Sequence, residues 1–276
     1  MNIHKKKIVF GPEFHAMKKR LRSGKLHTVC EEARCPNISE CFASGTATFL
    51  IMGAVCTRNC GFCAVEHGRP GVLDPDEITS IVNMTKEAGL KHLVLTSVTR
   101  DDLADGGAGF IAQAVTALKG ETGTTVEVLF PDFGGEERHL DILIKANPEV
   151  FNHNIEMVKR LYPLIRPHSD YERSMRVLRY LVGKGKTAKT GFMVGLGETH
   201  EELQELIAEI AEVGVKLLTI GQYLQPSKSH ATVIKYYTAE EFADLARMAH
   251  SAGIMNVSSS AFVRSSYQAE KMYQRS

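Results

Sequence analysis

Thr48-Phe-Leu-Ile-Met-Gly-Ala-Val-Cys56-Thr-Arg-Asn-Cys60-Gly-Phe-Cys63 is the stretch on which the fold turns. A short β-rich run, Thr48 to Met52, leads directly into a loop that carries three cysteines spaced Cys-x3-Cys-x2-Cys. Structural zinc sites take four ligands, usually in two pairs and often with histidine. One loop with three thiols and no fourth in register suits a four-iron cluster whose last iron is left open for a non-protein ligand. A structural zinc site that borrows a distant ligand is the alternative reading of these residues.

All six cysteines of the chain lie between Cys30 and Cys63, the other three in the pattern Cys30-x4-Cys35-x5-Cys41. Thiols this crowded are metal ligands or disulfide partners, and the rest of the sequence bears on which. The longest apolar run, around Phe49 to Cys56, is far short of a membrane span. The opening Met-Asn-Ile-His-Lys-Lys-Lys has no apolar segment of the kind a signal peptide carries. The expectation is a cytoplasmic protein without membrane partners, where thiols stay reduced and clustered cysteines favour metal. A net charge of +1 lacks the basic excess of a nucleic-acid binder, so no nucleic-acid partner is expected. With 276 residues, 43% of them apolar, the chain can bury a sizeable core.

From Thr46 onward the pattern alternates. β-rich runs fall at Thr48 to Met52, His92 to Thr96, Thr125 to Phe130, Glu149 to Asn152, Thr190 to Val194 and Lys216 to Ile220. Amphipathic stretches separate them. Leu203, Leu206, Ile207 and Ile210 recur at helix spacing behind the capping box Thr199-His-Glu-Glu202. Thr238-Ala-Glu-Glu241 is a second box, and Asp74-Pro-Asp-Glu77 opens a helix that turns Ile78, Ile81 and Val82 inward and ends at Gly89. Strands alternating with helices predict an α/β fold with a parallel sheet, and about six β/α units are too few for a closed eight-fold barrel. The predicted fold is a partial (β/α)6 TIM-like barrel at residues 46–258, with an N-terminal extension at 1–45 and a C-terminal segment at 259–276. In such sheets the chemistry sits at the C-terminal strand ends. There lie Thr96-Ser-Val-Thr-Arg-Asp-Asp102, Asn152-His-Asn-Ile-Glu156 and Gly195-Leu-Gly-Glu198. Lys5, Lys6, Lys7, Lys18, Lys19, Arg20, Arg22 and Lys25 make the extension basic, as a solvated helix face or as a docking surface for an acidic partner.

The loop Cys56-x3-Cys60-x2-Cys63, with aromatic Phe62 before its last cysteine, resembles the signature of the radical S-adenosylmethionine (radical SAM) enzymes. That resemblance implies a barrel of the radical SAM type and a 4Fe-4S cluster on Cys56, Cys60 and Cys63. It also implies S-adenosylmethionine on the open iron, cleaved to a 5′-deoxyadenosyl radical. Longer stretches resemble the lipoyl synthase family. They are Leu26-His-Thr-Val-Cys-Glu-Glu-Ala-Arg-Cys-Pro-Asn37, Gly45-Thr-Ala-Thr-Phe49, Leu95-Thr-Ser-Val98, Arg100-Asp-Asp-Leu-Ala-Asp-Gly-Gly107, Val150-Phe-Asn-His-Asn-Ile-Glu156, Leu196-Gly-Glu-Thr199, Thr219-Ile-Gly-Gln-Tyr-Leu-Gln-Pro-Ser227 and Arg264-Ser-Ser-Tyr267.

The family resemblance implies a second, auxiliary 4Fe-4S cluster on Cys30, Cys35, Cys41 and Ser266. It implies insertion of two sulfur atoms from that cluster at C6 and C8 of an octanoyl-lysine on a lipoyl-carrier protein or domain. The further partners it implies are a low-potential electron donor of ferredoxin or flavodoxin type and an iron–sulfur carrier that rebuilds the auxiliary cluster. An alkoxide is a hard ligand on a soft sulfide cluster, so a serine there suits a cluster that must open. An unactivated C–H bond is beyond side-chain acids and bases, so no acid/base residue is assigned and a radical cofactor is required. Two stretches depart from the family pattern. The chain has no tryptophan, so the family's Lys-Pro-x-Trp-Leu arm is missing, and Ser259-Ser-Ala-Phe262 stands where Ser-Gly-Pro-Leu is usual. A sulfur transferase with another aliphatic acceptor, a two-cluster electron carrier and a zinc-binding interaction module are the alternatives weighed.

Contact with S-adenosylmethionine is expected from Phe62, Thr96, Ser97, Arg100, Asp101, Asn154, Glu156 and Glu198, the last being equally readable as a turn that starts a helix. His153 is expected in a pocket rather than on a metal. Gly106, Gly107 and Gly109 read as a turn before a helix, since they lack the P-loop spacing and lysine. Arg166 and Arg173 read as surface ion-pair residues, and Glu31, Glu32 and Arg34 as groups that tune the auxiliary cluster.

Overall fold

A computed structural model describes residues 10–43 and 46–274; Lys5, Lys6, Lys7 and Gly45 lie outside them. The described chain gathers into two compact units, residues 10–58 with 64–149, and residues 59–63 with 150–274.

In the first unit, helix α1 (Pro12–Ser23) starts on a proline, whose missing N–H costs nothing there, and buries Phe14, Met17 and Leu21. Phe14 meets Phe42 at 5.5 Å between ring centroids. Strand β1 (His27–Thr28) pairs antiparallel with β2 (Thr48–Ile51). The Thr28 side chain accepts from Glu31 N at 3.3 Å and so caps α2 (Val29–Glu32), the turn that carries Cys30. Helix α3 (Ile38–Ala43) carries Cys41. After β2 come the short parallel pair β3 (Val55–Cys56) and β4 (Glu66–His67). The rest is α4 (Asp76–Ala88), β5 (His92–Ser97), α5 (Ala108–Thr122), β6 (Thr125–Leu129) and α6 (Glu137–Ala146). β2, β5 and β6 are parallel in that order, with Leu50 opposite Thr96 and Thr96 opposite Leu129. All four residues of β2 are buried, as a strand covered on both faces requires.

The second unit holds β7 (Val150–Asn152), α7 (Tyr162–Ile165), α8 (Tyr171–Gly183), β8 (Ala188–Val194), α9 (His200–Val213), β9 (Leu217–Gln222), α10 (Ala239–Ser251), β10 (Asn256–Ser260) and α11 (Ala269–Tyr273). Its strands are parallel in chain order, with Val194 opposite Gln222 and Ser258 opposite Thr219. Both predicted capping boxes form, at Thr199 with Glu202 and at Thr238 with Glu241. Met272 of α11 packs on Val150 and Leu217.

The sequence reading differs from the structure in local places. Strand β10 went unpredicted because Asn256-Val-Ser-Ser-Ser260 carries a single apolar residue and lies half-exposed. β2 stops at Ile51, because Met52 turns into the left-handed region at φ 66°. Helix α4 ends at Gly89 (φ 61°) as predicted and buries Ile81 and Val82, whereas Ile78 is only half-buried. The buried residue of its first turn is Glu77.

Candidate active site

The turn that leads from β2 to the second cysteine group is built from buried charge. The Glu77 carboxylate accepts from Met52 N at 2.8 Å, and its pKa is raised by burial against the pull of the Met52 and Gly53 N–H groups. Arg100, 3% exposed, donates to Met52 O at 3.4 Å and Gly71 O at 3.0 Å. Arg100 also grips Asp102 through two bonds of 2.8 Å, which hold that carboxyl below its ordinary range. The Cys56 Sγ accepts from the backbone N–H groups of Arg58 and Thr99, both at 3.4 Å.

Arg58, between Cys56 and Cys60 in the motif, is the anchor that sequence reasoning missed. Its Nε and Nη2 donate to Asp101 at 2.8 Å each, and Nη1 and Nη2 donate to Asp132 at 2.9 and 2.8 Å. Burial works against this charge, but the two carboxylates outweigh it and push the Arg58 pKa above its ordinary value. Thr57 Oγ1 adds bonds to Thr99 O at 3.0 Å and Asp101 at 3.2 Å. Asp101 therefore fastens the cysteine loop. The signal for this was available, since an arginine inside a cysteine loop with two aspartates at strand ends is a paired set of charges.

Within the second unit, residues 59–63 are held along their backbone. Gly61 N donates to Ile165 O at 2.7 Å, and Gly61 O accepts from Ala231 N at 2.8 Å. The Cys63 carbonyl meets His230 Nε2 at 3.0 Å, and His230 Nδ1 meets Ser227 Oγ at 2.8 Å. A carbonyl only accepts, so Nε2 carries a proton. Phe62 is half-buried.

Arg166 is a correction to the sequence reading: it is no surface ion-pair residue. Its guanidinium donates to Tyr162 Oη at 3.0 Å and Ile155 O at 3.4 Å, lies over the Tyr162 ring at 5.1 Å, faces Glu156 and bonds the Cys60 thiol. Burial opposes its charge, and Tyr162, Glu156 and Cys60 hold it. Burial likewise raises the Glu156 pKa, with Arg166 and then Asn154 pulling it back. Arg173 bonds His168 O at 3.5 Å within its own turn.

Other strand-end residues find partners inside the protein. Thr96 Oγ1 donates to Leu129 O at 3.0 Å, and Ser97 is half-buried beside it. The Glu198 carboxylate accepts from Gly195 N at 2.6 Å and Leu196 N at 2.9 Å, closing its own turn, and it also bonds Tyr237. His153, 2% exposed, bonds Lys189 O through its backbone N–H at 3.0 Å. Asn152 Nδ2 donates to Ser265 Oγ at 2.9 Å, and Ser265 Oγ donates to Asn154 Oδ1 at 2.9 Å.

In the first cysteine group, Cys30 is buried and close enough to Cys35 and Cys41 to feel both. Burial first, then the neighbouring thiols, push the Cys30 pKa up to about 12. Glu31 and Glu32 turn outward to Lys18 and His27, each at 3.0 Å, rather than toward the thiols. Arg34 adopts φ 51° at the end of that turn. None of the six cysteines is in a disulfide. Among the described residues no three His, Cys, Asp or Glu side chains stand close enough to hold a single metal ion. A cluster asks for a different spacing, since each thiolate binds its own iron and the ligands stand further apart. Thiols outside any disulfide, three in each group, are the donors an iron–sulfur cluster takes.

Residues 50–210 match the family model of the Radical SAM superfamily, and residues 2–35 match the N-terminal domain of lipoyl synthase. Solved structures resemble the chain in fold. Methylornithine synthase aligns at TM-score 0.61 and 15% identity, over 75% of this chain and 63% of its own. SuiB of Streptococcus suis, bound to S-adenosylmethionine, aligns at 0.59 and 15%, over 80% and 54%. The chain is thus a radical SAM protein, with the partial β/α barrel that defines the class.

Among curated proteins, the lipoyl synthase of Rubrobacter xylanophilus is 48% identical over 270 residues, 97% of this chain and 84% of the relative. That of Caldanaerobacter subterraneus subsp. tengcongensis is 45% identical over 264 residues, 95% of this chain and 93% of the relative. The chain belongs to the lipoyl synthase family. It is a sulfur-inserting radical enzyme that uses S-adenosylmethionine and 4Fe-4S clusters, with a lipoyl-carrier substrate and an electron donor. Among the described residues no helix is long and apolar enough to cross a membrane.

Proposed function

We propose that Cys56, Cys60 and Cys63 hold the radical-forming cluster, and that Cys30, Cys35, Cys41 and Ser266 hold the auxiliary cluster whose sulfides are inserted at C6 and C8 of the octanoyl chain. When bound, the two clusters and S-adenosylmethionine supply the radical that removes hydrogen from each carbon and the sulfide that replaces it. The observation that carries the assignment is the crowding of Cys30, Cys35 and Cys41, with buried Cys30 close to both other thiols and none of the three in a disulfide.

The chain's own residues hold and shield these ligands. Arg58, clamped between Asp101 and Asp132, fixes the loop after Cys56, and the N–H groups of Arg58 and Thr99 hold Cys56 Sγ in place. Arg166 places a positive charge on Cys60, which favours the thiolate there. Phe62, Thr96, Ser97, Glu156 and Glu198 stay assigned to the S-adenosylmethionine side. Arg100 and Asp101 act through the turns they pin, and Asn154 is taken up by Ser265 on the auxiliary side. The donor is a ferredoxin- or flavodoxin-type protein, and an iron–sulfur carrier restores the auxiliary cluster. The cytoplasm is the compartment, where six thiols outside any disulfide are kept reduced.

The test is a single turnover of anaerobically reconstituted protein with S-adenosylmethionine, reductant and an octanoyl-lysine carrier peptide. Mass spectrometry is expected to find two sulfurs on the peptide with the intact chain and none with Cys35→Ala. Deoxyadenosine without any sulfur on the peptide from the intact chain would sink the assignment of the auxiliary site.

A further inference from the structure

We infer that Ser265 is a positioning residue which, seated between Asn152 and Asn154, fixes the turn that carries Ser266; this rests on the reading of Ser266 as a cluster ligand. The serines are neighbours in Arg264-Ser-Ser-Tyr267, so the motif leaves open which hydroxyl ligates and what the other does. Ser265 Oγ accepts from Asn152 Nδ2 and donates to Asn154 Oδ1, both at 2.9 Å. A serine hydroxyl has one hydrogen, and here it is spent on Asn154. To bind iron, Ser265 would have to become an alkoxide, which breaks that bond and leaves two oxygens facing each other at hydrogen-bond distance. Ser265 is thus chemically committed to the asparagines.

The backbone shows what that commitment achieves. Tyr267 N donates to Arg264 O at 2.9 Å, so Ser265 and Ser266 are the two central residues of one turn. Side chains at these positions leave the turn in directions set by its plane, so fixing one fixes the other. Asn152 ends β7 and is fully buried, which makes the seat rigid. The segment is pinned on its other side at β9. A Cβ on Gly221 would lie 2.3 Å from Val263 O and 3.3 Å from Arg264 Nη1, so the chain entering the turn lies directly on the strand backbone. Arg264 Nη1 also donates to Val263 O at 2.6 Å, which tightens the entry. A ligand near the end of a chain needs such a seat, because a loosely held donor contributes little when reacting atoms must be placed within a fraction of an ångström.

The experiment compares Ser265→Ala, Ser265→Thr, Ser266→Ala and Ser266→Cys in the anaerobically reconstituted full chain. The readouts are iron and acid-labile sulfide per chain, deoxyadenosine formed, and sulfur on the octanoyl-lysine peptide. Ser265→Ala is expected to lower sulfur insertion by about 100-fold, the scale of a misplaced reacting group. Its deoxyadenosine yield should stay near that of the intact chain, which also shows that the variant is folded. Ser265→Thr keeps the hydroxyl and should recover most of the insertion. Ser266→Cys should hold a complete auxiliary cluster and insert no sulfur. Normal insertion by Ser265→Ala, with Ser266→Ala inactive, would overturn the positioning role and leave the Ser266 assignment standing. A normal cluster and normal insertion in Ser266→Ala would overturn the ligand assignment itself, and with it the purpose of the seat.

Discussion

Replacing Arg58 by alanine is the sharpest perturbation of the cysteine loop that leaves every thiol in place. The Arg58 side chain is 7% exposed, that of Asp132 1% and that of Asp101 45%. Removing the guanidinium strands the Asp132 carboxylate in the interior, and breaking one side of a buried pair costs about 3–5 kcal/mol. The Asp101 bond is half in water and adds at most about 1 kcal/mol. Gly134 N still donates to Asp132 at 3.1 Å, which places the expected loss toward the lower end of that range. Urea unfolding of the metal-free chain, followed by circular dichroism, measures it. Arg58→Lys should recover only part of the loss, because an ammonium cannot face two carboxylates with a planar fork. Adding Asp132→Asn to Arg58→Ala should restore stability, because the orphaned charge is gone. An unfolding midpoint for Arg58→Ala equal to that of the intact chain, or no relief from Asp132→Asn, would refute the reasoning.

Further outcomes follow from the same geometry. His230→Gln retains an N–H that can reach Cys63 O and should load the radical-forming cluster nearly as well as the intact chain, whereas His230→Leu should load it poorly; iron content and electron paramagnetic resonance after reduction report this. In the metal-free chain, Cys30, held at about 12 by burial and its neighbouring thiols, should resist iodoacetamide at pH 9 while Cys35 and Cys41 label, as read by peptide mass mapping. Because that raised pKa favours the protonated thiol in the folded chain, its contribution to stability is full below the ordinary thiol range and is lost as pH rises from there toward 12. Gly107→Ala forces a Cβ to 2.4 Å from Met52 Sδ at φ 89° and should cost about 1–3 kcal/mol in the same urea assay.

The β/α alternation was readable because buried parallel strands are written as short apolar runs, and the helices between them announce their starts. Thr199 and Thr238 cap as their spacing predicts, since a threonine hydroxyl and a glutamate three residues on can each satisfy an end of the same turn. β10 was not legible, because its serines are specified by the neighbouring strand and by Ser259 Oγ donating to Phe242 O at 2.8 Å, and neither leaves a hydrophobic trace. The site was legible where chemistry demands rare residues, the cysteines above all. It was opaque where common charged residues act through distant partners. Arg166 read as surface charge because nothing local to Leu161-Tyr-Pro-Leu-Ile-Arg166 reveals that Glu156 and Cys60 face it. Glu198 answers to its own backbone, as the turn reading of Gly195-Leu-Gly-Glu198 allowed. Nothing local to Asn152-His-Asn-Ile-Glu156 reveals the bond to Asn154 from Ser265, more than a hundred residues along the chain.

The polar character of β10 has a consequence for the molecule among its own copies. Among the described residues β10 pairs with β9 alone, and a strand at the end of a row can recruit a strand from another molecule through its backbone. Asn256-Val-Ser-Ser-Ser260 offers such a visitor almost no greasy surface to grip, and small hydroxyls keep water competing for every open amide. A chain that has yet to receive its clusters is spared that route to aggregation by the plainest stretch of its sequence.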